Sequence, residues 1–313
     1  MPARWNSTNR PPSLQSFKDR FPDDDACAAY LEQRRWPDGF ICPECASVCG
    51  WKLQTKRWTW ECRDCGQQTS VTAGTFMHGT KVPLRTWFLA AHLMATHSNG
   101  MSALQLQAKL DLGSYKTAWL LLHKLRRAMI DPDRTMLSGD VEVDETTLPF
   151  RTLDDPIGGG QGRSPIGKIA VVGAVELEAG NKPGRIRLKV IPDYRGETLK
   201  GFIQDHIEGG SHIWTDDNKS YYGLNGFDHT PRVIGKMAAH IIMPWIHRVF
   251  SNLKRWGIGV FHGFRRKYLD AYLNEFVFRW NRRHSYRSAF ERLIGIGVAV
   301  GPATYDDIRA RVA

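Results

Sequence analysis

Carboxylates alternate with apolar residues along Asp140-Val141-Glu142-Val143-Asp144-Glu145. Side chains of a β-strand alternate with period two, so Asp140, Glu142 and Asp144 share one face and Glu145 points to the other. A second acidic point, Thr215-Asp216-Asp217, follows a short apolar stretch. Strand-end carboxylates on neighbouring strands can converge within a few ångströms. Two Mg2+ ions held ~4 Å apart by such a pair activate a water and stabilise a leaving 3′ oxygen. The competing reading is that these are solvated acids at strand ends. The separation of 72 residues between Asp144 and Asp216 leaves room for two strands and a helix.

Cysteine supplies a second chemistry. Cys42-Pro43-Glu44-Cys45 and Cys62-Arg63-Asp64-Cys65 form two Cys-x2-Cys pairs around a 16-residue spacer. Each pair places two thiolates on one knuckle, and two knuckles complete a tetrahedral Zn2+ site of the closed, structural kind. The spacer suits a hairpin, and Gly66 gives turn freedom after the second knuckle. Cys27 and Cys49 fall outside the pattern and read as bystanders. On the hairpin, Lys52, Lys56, Arg57 and Trp58 either touch DNA or form a solvated basic surface.

The elements that must position these groups follow from periodicity. Residues 17–36 read as helical. Residues 84–94, 102–110 and 114–129 read as three helices, with Ser114 as an N-cap after a turn at 111–114. The last two fit helix–turn–helix spacing, which presents Tyr115 and Lys116 to a groove; a plain helical linker is the alternative. From residue 140 the pattern changes to strands at 140–145, 168–177, 185–191 and 211–215, with a helix at 196–207. A loop at 153–167 contains the glycine-rich run 158–162. Helices are expected at 245–256 and 267–283. The latter has an aromatic face of Tyr268, Tyr272 and Phe276 and offers Arg279, Arg282 and Arg283 to a phosphate backbone. Trp280 and Asn281 are either core or DNA-facing, and His240 and His262 are read as structural or surface residues. The expected organisation is a zinc ribbon region at 17–75, a helical DNA-binding or linker segment at 76–135, an α/β catalytic domain at 138–290 and a C-terminal tail at 291–313.

Composition bounds the function. Apolar residues make up 42% and charged residues 24% of 313, a globular profile rather than a disordered one. The polar, proline-containing start does not read as a signal peptide, and the longest apolar stretches, 87–95 and 293–300, are too short to cross a bilayer. The expectation is an intracellular protein whose cysteines stay reduced. The net charge is +11, which favours a polyanionic partner, nucleic acid before membrane. Residues 231–313 hold 15 Lys and Arg against 5 Asp and Glu, so nearly all the excess lies in the last quarter.

Several segments carry a resemblance. They are residues 35–45 (RRWPDGFICPEC from Arg34 on), Val71-Thr72-Ala73-Gly74-Thr75, Tyr115-Lys116-Thr117-Ala118-Trp119, Val141-Glu142-Val143-Asp144-Glu145, the run from His247 to Trp256 and the run from Tyr272 to Arg283. In this order they resemble bacterial insertion-sequence transposases of the DDE superfamily, in the group with an N-terminal zinc ribbon. The resemblance implies a ribonuclease-H-like mixed sheet flanked by helices, preceded by the ribbon and the helix–turn–helix-like segment. It implies metal-dependent DNA cleavage and strand transfer at the element ends, with Mg2+ or Mn2+ beside the structural Zn2+. Asp144 and Asp216 become the first and second catalytic carboxylates. Lys254 matches the late-helix lysine, and seven residues before it stands His247 where such enzymes often carry a glutamate. Asn252 is the rival third ligand, and Glu142, Glu145 or Asp217 could supply the missing charge. Lys254 and Arg255 join Lys116, Arg279, Arg282 and Arg283 as expected DNA contacts. The implied partners are terminal inverted repeats and target DNA, bound by a homodimer or larger synapse in the cytoplasm at the nucleoid. A DNA-binding regulator without nuclease activity is the alternative.

Overall fold

A computed structural model of the chain describes residues 10–97, 99–150, 167–232 and 242–310. The glycine-rich run 158–162 and His240 lie outside the described residues. The chain forms two compact units. One gathers residues up to Pro132 and those from His284 onward, and the other runs from Asp133 to Arg283.

The first unit begins with α1 (Leu14–Arg20) and α2 (Asp24–Arg35). The sequence reading expected one continuous helix over 17–36, but the chain breaks at Phe21-Pro22-Asp23. Proline lacks the N–H a helix interior needs. Asp23 then caps α2, its carboxylate accepting from the Ala26 amide at 2.8 Å. The ribbon follows as three short antiparallel strands, β1 (Gly50–Lys52), β2 (Thr59–Cys62) and β3 (Gln68–Ser70). Three helices come next: α3 (Leu84–Thr96), α4 (Ala103–Leu110) and α5 (Tyr115–Arg127). A capping box of Ser102 and Gln105 starts α4. Ser114 caps α5 as its position predicted, accepting from the Thr117 amide at 3.1 Å.

Residues 291–313 were expected to form a tail. Instead α9 (Ala289–Ala299) and α10 (Tyr305–Ala310) belong to the first unit. Phe290 of α9 meets Phe17 edge-on at 4.8 Å within a buried cluster that also holds Phe21, Phe88 and His92. Burial among these rings pushes His92 down to about 4.

The second unit is built on a five-stranded sheet in the order β6-β5-β4-β7-β8. Its strands are β4 (Asp140–Pro149), β5 (Lys168–Glu178), β6 (Lys182–Ile191), β7 (His212–Asp216) and β8 (Asp228–Arg232). The pairs β4–β5 and β5–β6 are antiparallel, whereas β4–β7 and β7–β8 are parallel. This is the ribonuclease-H-like mixed sheet. The helix α6 (Gly196–His206) covers one face through Leu199, Phe202 and Ile203, which pack on Val141, Val143 and Ile213. The helices α7 (Pro244–Phe261) and α8 (Leu269–Asn281) cover the other through Val249, Phe250, Leu253, Leu273 and Phe276, packed on Val171, Val175 and Leu188. Among the described residues, no helix is long and apolar enough to cross a membrane.

Strand β5 lets α7 approach closely. Gly173 pairs with Asp144 across the β4–β5 ladder. A Cβ built there would stand 2.7 Å from a ring carbon of Phe250 and 2.8 Å from Leu188. Hydrogen in place of a side chain therefore sets how near α7 lies to the strand of Asp144. Gly173→Ala should overpack this contact and lower stability by about 1–3 kcal/mol, measured by chemical denaturation; an unchanged midpoint would show that Phe250 yields freely.

Candidate functional site

The four ribbon cysteines form a closed cluster. Their sulfurs all lie within 4.8 Å of one another. Cys42 and Cys65 are 3.6 Å apart at sulfur, as are Cys45 and Cys62. A tetrahedron with Zn–S bonds of about 2.3 Å places its sulfurs roughly 3.8 Å apart, so the set fits one Zn2+. The two knuckles are alike. The Ala46 amide donates to the Cys42 carbonyl and the Gly66 amide to the Cys62 carbonyl, each at 3.0 Å. Each turn closes on a left-handed residue, Ala46 at φ 59° and Gly66 at φ 70°. Backbone N–H groups of Cys65 and Asp64 hold the Cys62 thiol down to about 7, while burial and the neighbouring thiols push Cys65 up to about 12. Cys27, pushed up to about 12 mainly by burial, and the exposed Cys49 stand outside the cluster.

The acidic pocket lies on the α7 side of the second unit's sheet. Parallel pairing sets Asp140 opposite His212 and Glu142 opposite Trp214. The paired residues end at Glu142 and Trp214, and Asp144 and Asp216 each lie two residues beyond that pair on adjacent strands. Alternation puts both on the face covered by α7. Asp144 is buried, and its Oδ1 accepts from the Glu145 amide at 2.8 Å. Asp216 Oδ1 accepts from the Asn218 amide at 3.2 Å. The buried Tyr221 hydroxyl, which donates to Glu145, is held well above its usual range by burial first, then by Glu145, Asp144 and Asp216. Among the described residues, the cysteines are the one group of three or more ligands closed to mutual metal-binding distance.

Helix α7 brings two more groups. His247 Nδ1 lies 3.7 Å from Asp144 Oδ2. Lys254, half-buried, has its ammonium pushed below the usual range by burial, raised by the nearby Asp144 and lowered by Lys168. At about 100° per residue, His247 and Lys254 project within about 20° of each other. Asn252 projects about 140° away from His247. Its side-chain oxygen accepts from Arg255 Nη2 at 2.9 Å. His247 and Lys254 thus stand near Asp144 on one flank of α7, and Asn252, weighed as the rival third ligand, lies on the other flank.

Each of the extra acids has hydrogen-bond partners in the protein. Glu142, 1% exposed, accepts from the Trp245 and Ile246 amides at 3.0 and 2.8 Å. Burial pushes its carboxyl up, against the pull of those two amides. Glu145 accepts from the Tyr221 hydroxyl at 2.5 Å and from Asn218 Nδ2 at 3.2 Å. Asp217 accepts from the Tyr222 hydroxyl.

The expected DNA contacts divide. Lys116 is exposed in the first turn of α5, its ammonium 4.0 Å from the Tyr305 ring centroid. Arg255 is exposed on α7. Arg279 is a correction: it is buried and donates to the fully buried Glu275 at 2.9 Å, so it faces the core. Arg283 is another. It donates to the Gly184 and Pro183 carbonyls and lies over the Trp280 ring. Trp280 Nε1 also donates to the Gly184 carbonyl, and the Asn281 amide exchanges hydrogen bonds with the Ile186 backbone. These residues cover the open edge of β6, a need the sequence does not display. Arg282 stacks 4.0 Å over Phe278. His262 is exposed and ends α7 at φ 55°.

Comparison with known proteins agrees with this division into ribbon and sheet. Residues 22–68 match the transposase zinc-ribbon domain and residues 136–281 match the ISXO2-like transposase domain. A relative described as an uncharacterized protein in transposable element ISH50, from Halobacterium salinarum, is 34% identical over 142 residues. That match covers 44% of this chain and 47% of the relative, so the chain spans about half the length of the relative it matches. A crystal structure of a pre-cleavage Mos1 transpososome aligns with 68% of this chain and 78% of its own at 11% identity and a TM-score of 0.24, a likeness that carries no argument. The chain thus carries, in this order, a four-cysteine ribbon that matches the transposase zinc-ribbon domain and a mixed sheet with its helices that matches the ISXO2-like transposase domain.

Proposed function

We propose that the protein cleaves DNA at the ends of its insertion sequence and transfers the freed 3′ strand to target DNA, with Asp144 and Asp216 holding Mg2+ or Mn2+. The observation that supports this reading is that the two carboxylates share a face of the adjacent strands β4 and β7, with His247 and Lys254 of α7 near Asp144. A bound divalent ion pair would supply an activated water and stabilise the leaving 3′ oxygen. In this reading Asp144 and Asp216 are oxygen donors whose orientation is fixed by the Glu145 and Asn218 amides. His247 offers a neutral imidazole nitrogen as the third donor. Lys254 meets a phosphate near the cut, and Lys116 and Arg255 add backbone contacts. The ribbon and the α4–α5 pair recognise the terminal repeats, and joining two ends requires at least two copies of the chain. The protein then works in the cytoplasm, at the nucleoid.

The absence of a third carboxylate at position 247 also favours a second reading, a DNA-binding regulator without nuclease activity. Nicking of terminal-repeat DNA separates the two. Asp144→Ala and Asp216→Ala should each lower Mg2+-dependent cleavage by about 100-fold or more while DNA affinity holds; a wild type as inert as both variants supports the regulator. Elemental analysis should find about one zinc per chain, lost in Cys62→Ser together with the ribbon fold; full folding without zinc would contradict the ribbon's role. Lys254→Ala should weaken DNA binding and reduce its salt slope by about 1. Arg279→Ala should leave that slope unchanged and lower stability by about 3–5 kcal/mol, because it removes one member of a buried ion pair.

A further inference from the structure

We infer that the two glutamates flanking Asp144 are positioning residues, Glu142 for the helix that carries His247 and Lys254, and Glu145 for the turn that carries Asp216. The inference rests on the metal-site reading above and assigns how that site is held together.

Helix α7 begins at Pro244 without a side-chain cap of its own. Its first amides need acceptors. A local Ser or Asp at the cap position would serve them without fixing where the helix sits. The acceptor comes instead from β4, more than 100 residues earlier in the chain: Glu142 Oε2 takes both the Trp245 and the Ile246 amide. A carboxylate at a helix N-terminus also meets the positive end of the helix dipole. Burying a carboxylate is costly unless it is well partnered, and a local cap would satisfy the same amides more cheaply. What the long-range bond adds is a fixed distance between the start of α7 and β4. The two bonded amides immediately precede His247, and Glu142 stands one same-face step from Asp144.

Glu145 acts on the opposite face. Tyr221, fully buried, donates to one of its oxygens, and Asn218 Nδ2 donates to the other. The backbone amide of that same Asn218 orients Asp216. Asn218 Oδ1 in turn accepts from the Ser220 amide at 3.1 Å, closing the turn. One strand therefore carries the first carboxylate and grips the elements that bear the other groups, each through one neighbour of Asp144.

The test uses the full chain with terminal-repeat DNA and Mn2+. Glu142→Ala should lower kcat by about 10–100-fold with the KM for DNA within about twofold, the usual effect of losing a residue that orients a ligand. Glu142→Gln keeps an oxygen for both amides and should recover most of that loss. Hydrogen exchange at the Trp245 and Ile246 amides should accelerate at least about tenfold in Glu142→Ala and stay near wild type in Glu142→Gln. Glu145→Ala should accelerate exchange across residues 218–221 in the same way. The proposal is overturned if Glu142→Gln is as inactive as Glu142→Ala while exchange stays at the wild-type rate, for then the charge itself is needed. It is equally overturned if Glu142→Ala changes neither exchange nor kcat. A wild type that neither cuts DNA nor binds Mn2+ defeats the metal-site reading alone, since the exchange pattern still upholds or overturns the two braces.

Discussion

Parallel pairing between β4 and β7 determines what this protein can do with its carboxylates. Asp144 and Asp216 lie far apart in sequence, and neither belongs to a compact motif with the other. Alternation outward from the paired residues Glu142 and Trp214 puts both on one face of adjacent strands. A slip of one residue would turn Asp216 toward α6 and the apolar cluster around Ile213 and Tyr221. The register is held at its outer end by a polar ladder. Asp140 accepts from Trp214 and pairs with His212, whose other ring nitrogen meets Thr230 of β8. On the inner end, Val141, Val143 and Ile213 bury themselves under α6. Polar bonds at one end and apolar burial at the other keep the carboxylate pair aligned.

Much of this was legible in the sequence because it follows local rules. The Cys-x2-Cys spacing gave the ribbon, the Asp-Val-Glu-Val-Asp alternation gave β4, and Ser114 marked the start of α5. What could not be read had no local signal. Strand β8 consists of Asp-His-Thr-Pro-Arg, without alternation of apolar residues, and its proline is tolerated because the strand lies at an edge. The apolar stretch 293–300 announces burial but not its partners, one of which is Phe76, whose ring lies against Gly297 and whose amide donates to the Gly297 carbonyl. Glu142 was legible as an acid on the correct face. That it faces helix amides rather than an ion depends on where α7 starts, which only the folded chain displays.

The basic excess is likewise only partly what it suggests. Arg279 and Arg283 sit in the most basic quarter of the chain, yet one neutralises a buried glutamate and the other fastens α8 to β6. A guanidinium supplies several donors in a fixed fork, so it serves an open strand edge as readily as a phosphate. Charge counting cannot separate these uses; burial and hydrogen-bond partners can. The cations left at the site are fewer, with Lys254 set beside Asp144 and Arg255 exposed on the same helix.

The claim that the β4–β7 register builds a divalent-metal site is tested most directly by crystallography of the chain with terminal-repeat DNA and Mn2+, read in anomalous difference density. The account predicts a peak within about 2.5 Å of oxygens from both Asp144 and Asp216. Density there from water alone, with Mn2+ bound elsewhere on the second unit, would contradict it.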